Sequence, residues 1–225
     1  MNLWTRREVL TAAAAGFAMA RELIAAQTGA ASGIPKRKFG RHDEMVPILA
    51  LGGWDIGRAD DSTAIAIMQA AIEEGLTFFD NCWEYHNGRS EELMGRALEG
   101  GRRDRVFLMT KVCGRTYEDA RSNLEDSLRR LRTDRLDLWM FHGIRWDEDP
   151  GLIFDAERGA LRAALEARAA GKVRYIGFTG HKDPRFHLAM LDRTSRAGAP
   201  LEWDAVLMPL NLVDVQHLSF QTEVL

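Results

Sequence analysis

Residues 78–88 read Phe-Phe-Asp-Asn-Cys-Trp-Glu-Tyr-His-Asn-Gly, and this stretch decides the fold. Phe78-Phe79 is typical of the end of a short buried strand, and Asp80 follows where the apolar run stops. A carboxylate is costly to bury without a partner, so we expect Asp80 to face a site. Tyr85 follows in a loop that closes with His86-Asn87-Gly88, and these residue types favour a turn.

Two later apolar runs end in the same way. Val106–Met109 is followed closely by Lys111, and Leu136–Phe141 is followed by His142. Lys111 lies 31 residues after Asp80, and His142 lies 31 residues after Lys111. In a parallel barrel the carboxyl ends of the strands meet on one face, where catalytic groups are found. The spacing therefore predicts that one pocket gathers a tetrad of Asp80, Tyr85, Lys111 and His142.

Predicted strands and helices alternate along the chain. A small hairpin that begins at Lys36–Phe39 precedes the first strand, which we place in Val46–Leu51. The helices are expected to begin at polar capping residues. The predicted strands end at Phe79 and occupy 106–110, 136–141, 173–178 and 205–208. Asp60, Ser90 and Thr116 are predicted to cap helices. A short helical turn precedes a main helix from Ala160, and Asp183-Pro184 opens the next helix.

This alternation, with glycines between elements, is typical of a parallel α/β sheet. A doubly wound sheet would fit the periodicity equally well. The tetrad favours the (β/α)8 TIM-barrel type, because its four groups must converge on one mouth. Residues 39–225 hold about six strand–helix units of roughly 30 residues each, whereas a closed barrel has eight. We therefore expect an incomplete barrel, from a truncated gene product or a fragment, whose bare edge strands favour association.

The chain resembles the aldo-keto reductases from about Pro35 to Leu225. The resemblance rests on these motifs: Phe79-Asp80-Asn81 with Tyr85, Gly88-Arg89-Ser90-Glu91, Thr110-Lys111, Leu136-Asp137-Leu138 with His142, and Gly171-Lys172-Val173-Arg174 with Ile176-Gly177. It implies a TIM barrel over 35–225, an NADP(H) cofactor and a small-molecule carbonyl substrate. It also implies that the tetrad is catalytic.

The tetrad suits carbonyl reduction, which needs a hydride for carbon and a proton for oxygen. A free tyrosine has a pKa near 10 and is a slow proton donor at neutral pH. A neighbouring ammonium stabilises the phenolate, so Lys111 would make Tyr85 a better acid. Asp80 would hold Lys111 charged and oriented, and His142 would position the substrate oxygen.

Cofactor contacts are expected at Gly53 and Trp54, which follow the first strand, and at Thr179 and Asn211. Many relatives hold the nicotinamide carboxamide with Ser-Asn after strand five and Gln in strand six. The matching positions here are Thr179-Gly180 and Leu207, so two amides are replaced and Asn211 or His181 would take their place. The first strand is followed by Gly52-Gly53-Trp54, which is not the Gly-x-Gly-x-x-Gly fingerprint of a Rossmann fold.

The N-terminal segment differs in character from the rest of the chain. Arg6-Arg7 is followed by an apolar, Ala-rich and uncharged stretch at residues 11–20, which is too short to span a bilayer. Residues 1–31 therefore resemble a twin-arginine signal, which would engage the export machinery and place the protein in the periplasm or another extracytoplasmic space. The alternative is a cytoplasmic protein in which this segment is an ordinary Ala-rich helix with an accidental arginine pair.

The amino-acid composition argues against two other classes of protein, nucleic-acid-binding proteins and disulfide-rich scaffolds. Of 225 residues, 46% are hydrophobic, and 30 Lys and Arg face 33 Asp and Glu, so no basic surface predicts nucleic-acid binding. The two cysteines, Cys82 and Cys113, exclude a disulfide scaffold, although an exported protein could pair them.

Two functional alternatives to a reductase remain. A metal-dependent hydrolase would use Asp80, Lys111, His142 and His181, but it usually begins with His-x-His after strand one, where this chain has Gly53-Trp54-Asp55, so we expect no metal among the tetrad. An inactive remnant or a nucleotide-binding subunit is the other alternative.

Overall fold

A computed structural model describes residues 33–195, 199, 201–212, 214 and 217–225, and 34–225 form one compact unit. The predicted export segment, 1–31, lies outside the described residues. Strand β1 (Lys36–Lys38) pairs antiparallel with β2 (Met45–Pro47), with Lys36 opposite Pro47, so the expected hairpin is present. Among the described helices, none has the length and apolarity that crossing a bilayer requires.

Six parallel strands form the main sheet: β3 (Leu51–Gly52), β4 (Phe78–Asp80), β5 (Phe107–Val112), β6 (Leu136–Phe141), β7 (Val173–Thr179) and β8 (Ala205–Leu207). Each strand is hydrogen-bonded to the next one in chain order, and every pair is parallel. A doubly wound sheet reverses its strand order at a switch point. The uninterrupted order is that of a TIM barrel, and six of its eight strands are seen, as predicted.

Helices follow most strands on the outer face of the sheet. Their bounds are α1 (Gly53–Ile56), α2 (Asp61–Glu73), α3 (Arg89–Ala97), α4 (Tyr117–Leu131), α5 (Asp149–Ile153), α6 (Ala160–Ala169), α7 (Pro184–Asp192) and α8 (Phe220–Glu223), with 3-10 turns at Tyr85–Gly88 and Arg102–Arg105. The short α5 and the main α6 confirm the predicted division of that helical region. A side chain at Gly159, just before α6, would lie 2.4 Å from backbone oxygens, so glycine is required there.

Local hydrogen bonds explain where two helices begin. The Asp60 carboxylate accepts the Thr63 N–H at 3.0 Å, and the Thr116 hydroxyl accepts the Asp119 N–H at 3.2 Å, as the capping pattern predicts. The prediction that Ser90 caps α3 is wrong. Gly88, at φ +91°, takes that position because a left-handed conformation favours glycine, and Ser90 lies in the first turn of α3.

The sheet has an apolar layer on each face. Alternate residues of β5 and β6 form the inner layer, with Phe107 and Met109 beside Leu138 and Met140. Leu108, in the other row, packs into the larger core between the sheet and the helices. Because strand side chains alternate with a period of two, the inner rows continue to Asp80, Lys111 and His142 at the carboxyl edge.

Strand β5 is longer than predicted. Its expected bounds were 106–110, but pairing with β6 continues to Val112 opposite Phe141. Lys111 therefore lies within the strand rather than after it. A residue inside a sheet has a more fixed backbone than one in a loop, so the Lys111 side chain is held more rigidly than the prediction implied.

Candidate active site

The Lys111 ammonium is the centre of the predicted tetrad. It forms an ion pair with Asp80 and donates hydrogen bonds to the Asn81 carbonyl at 2.8 Å and to the Tyr85 hydroxyl at 3.4 Å. Lys111 is only 2% exposed, so these three oxygens replace the water that it loses on folding. The structure thus brings the carboxylate, the ammonium and the phenol together, as the spacing predicts.

Electrostatics keep Lys111 charged. Burial alone would lower the pKa of Lys111, but the charges of Asp80, Tyr85 and Cys82 act in the opposite direction and leave it above its ordinary value. A charged Lys111 lowers the cost of forming a phenolate at Tyr85. Burial of the phenol outweighs this effect, however, and the pKa of Tyr85 in the chain without ligand lies above its ordinary value. The predicted lowering of the Tyr85 pKa by Lys111 is therefore outweighed in the chain without ligand.

His142 lies immediately after β6 on the other side of Tyr85. The two rings are edge to face, with centroids 6.0 Å apart. The His142 backbone is held from both sides, because its N–H donates to Val112 at 2.8 Å and its carbonyl accepts from Arg115 at 2.7 Å. The fourth member of the tetrad is therefore beside the phenol, with a fixed backbone.

The His142 ring contacts three groups that the tetrad does not include. Its Nδ1 lies 2.9 Å from a Glu84 carboxylate oxygen, 3.3 Å from Cys82 Sγ and 3.7 Å from Cys113 Sγ. The two cysteines lie two residues beyond Asp80 and Lys111 in the chain. The sequence pattern predicted no role for Glu84, although this residue lies inside the 78–88 stretch, directly before Tyr85.

The two cysteines are free thiols with sulfurs 3.9 Å apart. Burial raises the pKa of Cys82. The hydrogen bond with Cys82, supported by His142, lowers the pKa of Cys113 to about 6 in spite of burial. These neighbours therefore favour the thiolate form of Cys113.

Of the residues predicted to bind the cofactor, Gly53 and Trp54 lie beside the tetrad. A side chain at Gly53 would meet Asn81 and Ser90 at 2.8 Å, and the Gly53 carbonyl accepts the Ser90 hydroxyl at 2.6 Å. Trp54 is half exposed, and its ring lies edge to face with Tyr85 at 5.3 Å. Trp54 therefore forms one wall beside the phenol.

The other two predicted cofactor residues occupy different positions. The buried Thr179 hydroxyl accepts the Gly143 N–H at 2.9 Å and so supports the loop that begins at His142. Asn211 lies on the exposed segment after β8, where its carbonyl accepts the Asp214 N–H at 3.2 Å. His181, the alternative to Asn211, is also exposed. A cofactor contact at Asn211 or His181 stays a prediction.

These features define a class of protein: a TIM-barrel-type α/β chain with a polar tetrad at the carboxyl edge of its sheet. The profile of the aldo/keto reductase family matches residues 48–220, and the chain belongs to this family.

Known relatives agree with this assignment. Aldo-keto reductase YhdN of Bacillus subtilis (strain 168) is 34% identical in an alignment of 176 residues that covers 73% of this chain and 49% of the relative. The holo form of aldo-keto reductase AKR11C1 from Bacillus halodurans superposes with a TM-score of 0.66 at 28% identity, over 79% of this chain and 58% of that one. The chain spans about half the length of the curated relatives it matches.

A structure with bound cofactor is also similar. The aldo/keto reductase from Klebsiella pneumoniae in complex with NADP and acetate has a TM-score of 0.57 and 33% identity, over 66% of this chain and 50% of that one. The similarity thus includes a family member crystallised with NADP.

Proposed function

We propose that the protein is an NADP(H)-dependent oxidoreductase that reduces a small-molecule aldehyde or ketone. The observation that carries the proposal is the buried Lys111 ammonium, which contacts both the Asp80 carboxylate and the Tyr85 hydroxyl. This arrangement places a proton donor next to a permanent positive charge. NADP bound to the Klebsiella pneumoniae relative supports the choice of cofactor.

In this proposal Tyr85 donates a proton to the carbonyl oxygen as the oxygen becomes negative. Lys111 stabilises the phenolate that remains, and Asp80 keeps Lys111 charged and oriented. His142 orients the carbonyl oxygen from the other side of Tyr85. The Trp54 ring beside Tyr85 excludes water from one side of the reacting groups.

The residues present fit a nicotinamide at this position. The Thr179 hydroxyl accepts one hydrogen bond from Gly143 and still has its own hydrogen to donate to a carboxamide. Gly53 packs against the buried Asn81 and Ser90 and so positions the neighbouring Trp54. Trp54, Thr179 and Asn211 would hold the cofactor, which would supply the hydride.

The metal-dependent hydrolase is less well supported. Its mechanism needs an uncharged or carbamylated Lys111, whereas the Lys111 ammonium is engaged with three oxygens. His181 is also exposed, whereas Lys111 is buried.

Oxidation of NADPH in the presence of a small aldehyde such as benzaldehyde tests the proposal. Tyr85→Phe should lower kcat about 10²- to 10⁴-fold, the usual contribution of general acid catalysis, while NADPH binding, followed by fluorescence, is retained. Tyr117→Phe is the matched control, because Tyr117 bonds to the exposed Glu166 on α6. NADPH binding without turnover by the unmodified chain would instead identify a nucleotide-binding subunit, and absence of NADPH binding would refute the proposal.

We also propose export by the twin-arginine route. The support is the Arg6-Arg7 pair, followed by the Ala-rich, uncharged residues 11–20. This route carries folded proteins, which suits an enzyme that acquires its cofactor before export.

A further inference from the structure

Four metal-ligating groups meet beside the tetrad: the thiols of Cys82 and Cys113, the Nδ1 atom of His142 and the carboxylate of Glu84. We call these four residues the thiol cluster. One donor atom from each lies within 4.8 Å of every other one. They come from the ends of three neighbouring strands and from the loop before Tyr85, so their meeting depends on the sheet and not on a local sequence motif.

Three distances in the thiol cluster, those among the two sulfurs and His142 Nδ1, are close to those of a tetrahedral site. With Zn–S bonds of about 2.3 Å and Zn–N bonds of about 2.0 Å, tetrahedral geometry puts two sulfurs about 3.8 Å apart and a sulfur about 3.5 Å from a nitrogen. The sulfurs of Cys82 and Cys113 are 3.9 Å apart, and they lie 3.3 and 3.7 Å from His142 Nδ1. The Glu84 oxygen is 2.9 Å from the same nitrogen, shorter than the roughly 3.3 Å expected between two such ligands of one tetrahedral cation, so the Glu84 side chain would move outward slightly to supply the fourth ligand.

We propose that the thiol cluster binds a divalent cation of the zinc type through Cys82 Sγ, Cys113 Sγ, His142 Nδ1 and a Glu84 carboxylate oxygen. Two sulfur ligands with an imidazole select such a cation over magnesium or calcium, which prefer oxygen.

The surroundings of the cluster favour binding of a cation. Binding would release any protons still held by the two thiols, because metal ligation requires thiolates. Asn123 accepts the Cys113 N–H at 3.2 Å and so fixes the backbone of that ligand. Glu84 is the most exposed of the four ligands and provides a route for the cation to enter.

A disulfide would compete with this site. An S–S bond is about 2.05 Å long, so the two sulfurs would have to move together by nearly 2 Å from their observed 3.9 Å. The observed separation is that of two ligands of one cation. Oxidation would remove both sulfur ligands, so in an exported protein the cation would have to bind before the chain reaches an oxidising compartment.

Coordination would also affect the tetrad through one atom. A cation on Nδ1 of a neutral imidazole leaves the proton on Nε2. The cation would thus fix both the ring orientation and the tautomer of His142, with a hydrogen-bond donor on the nitrogen not bound to metal. The Tyr85–Lys111 contact does not involve the thiol cluster ligands, so metal binding can be tested separately from carbonyl reduction.

Metal binding by the reduced chain tests the proposal. The protein is stripped with a chelator and reduced with a phosphine, and its two thiols are counted. It is then titrated with Zn²⁺ by calorimetry and with Co²⁺ by absorption spectroscopy. We expect one cation per chain, proton release on binding, and the thiolate-to-cobalt charge-transfer band with the visible bands of tetrahedral Co²⁺.

Variants assign the ligands. Cys113→Ser should weaken Zn²⁺ binding at least about 100-fold, since loss of even an outer partner costs 10- to 100-fold, and it should reduce the charge-transfer band. Glu84→Gln should weaken binding with the band retained. Glu92→Gln, the same chemical change at a position on α3 outside the cluster, should have no effect. Circular dichroism confirms that each variant is folded.

Two results would overturn the proposal: a folded chain with two free thiols that takes up no Zn²⁺ or Co²⁺, or a Cys113→Ser chain with an unchanged charge-transfer band. Tyr85→Phe separates this proposal from the proposed reductase activity. The Tyr85→Phe chain should lose about 10²- to 10⁴-fold in kcat for carbonyl reduction but bind Zn²⁺ as the unmodified chain does.

Discussion

Replacement of Lys111 by methionine tests how the site is held together. Methionine fills similar space but carries no charge. The change leaves the Asp80 carboxylate and the Asn81 carbonyl without the donor that they now share. Removing one partner of a buried ion pair costs about 3–5 kcal/mol. The Asp80 side chain is 23% exposed, so water replaces part of the lost contact. We therefore expect the free energy of unfolding to fall by an amount near the lower end of that range, about 3 kcal/mol.

Urea unfolding followed by tryptophan fluorescence measures this loss. Lys172→Met is the matched control, because Lys172 is also paired, with Glu125, but both side chains are at least 39% exposed. An exposed pair contributes about 1 kcal/mol or less. The double change Asp80→Asn with Lys111→Met should cost less than the sum of the two single changes, since it leaves no unpaired charge. Equal losses for Lys111→Met and Lys172→Met would refute the reasoning.

The same ion pair predicts how stability depends on pH. The pKa of Lys111 is raised in the folded chain, so the folded state holds this proton more tightly than the unfolded state. The resulting stabilisation is complete below the ordinary lysine pKa of about 10.4. It is lost as the pH rises from there through the raised folded value. Lys111→Met should lack this alkaline loss, which unfolding curves at increasing pH would detect.

Three other changes test packing, thiol chemistry and export. Gly53→Ala should lower the free energy of unfolding by about 1–3 kcal/mol through overpacking, whereas Gly52→Ala, with no atom within 4 Å of the new carbon, should not; thermal melts in the reverse order would contradict this. Alkylation of Cys113 by iodoacetamide in the metal-free, reduced protein should rise with a midpoint at about pH 6, and Cys82→Ala, which removes the hydrogen-bond donor, should move that midpoint upward; an unchanged midpoint would exclude the hydrogen bond as its cause. Replacing Arg6-Arg7 with two lysines should retain the protein in the cytoplasm on cell fractionation, and undiminished export would refute the twin-arginine proposal.

Much of the fold follows from local patterns in the sequence. The Asp60 and Thr116 caps, the division of the region before α6 and the bounds of β6 were predicted because they depend on residues close together in the chain. The prediction for Ser90 failed because Gly88 adopted a left-handed conformation two residues earlier. Competition between neighbouring capping residues is decided by backbone geometry, which residue preferences alone do not specify.

The sequence by itself determined the strand–helix order and the repeat that aligns Asp80, Lys111 and His142, since strand periodicity sends these side chains to the same face. Only the tertiary structure decided how far β5 extends, that burial outweighs the effect of Lys111 on the pKa of Tyr85, and that Glu84 reaches His142 Nδ1. The physical reason is that strand register and burial arise from contacts between residues distant in the chain. Such contacts set distances between side-chain atoms, and those distances determine the chemistry of the site.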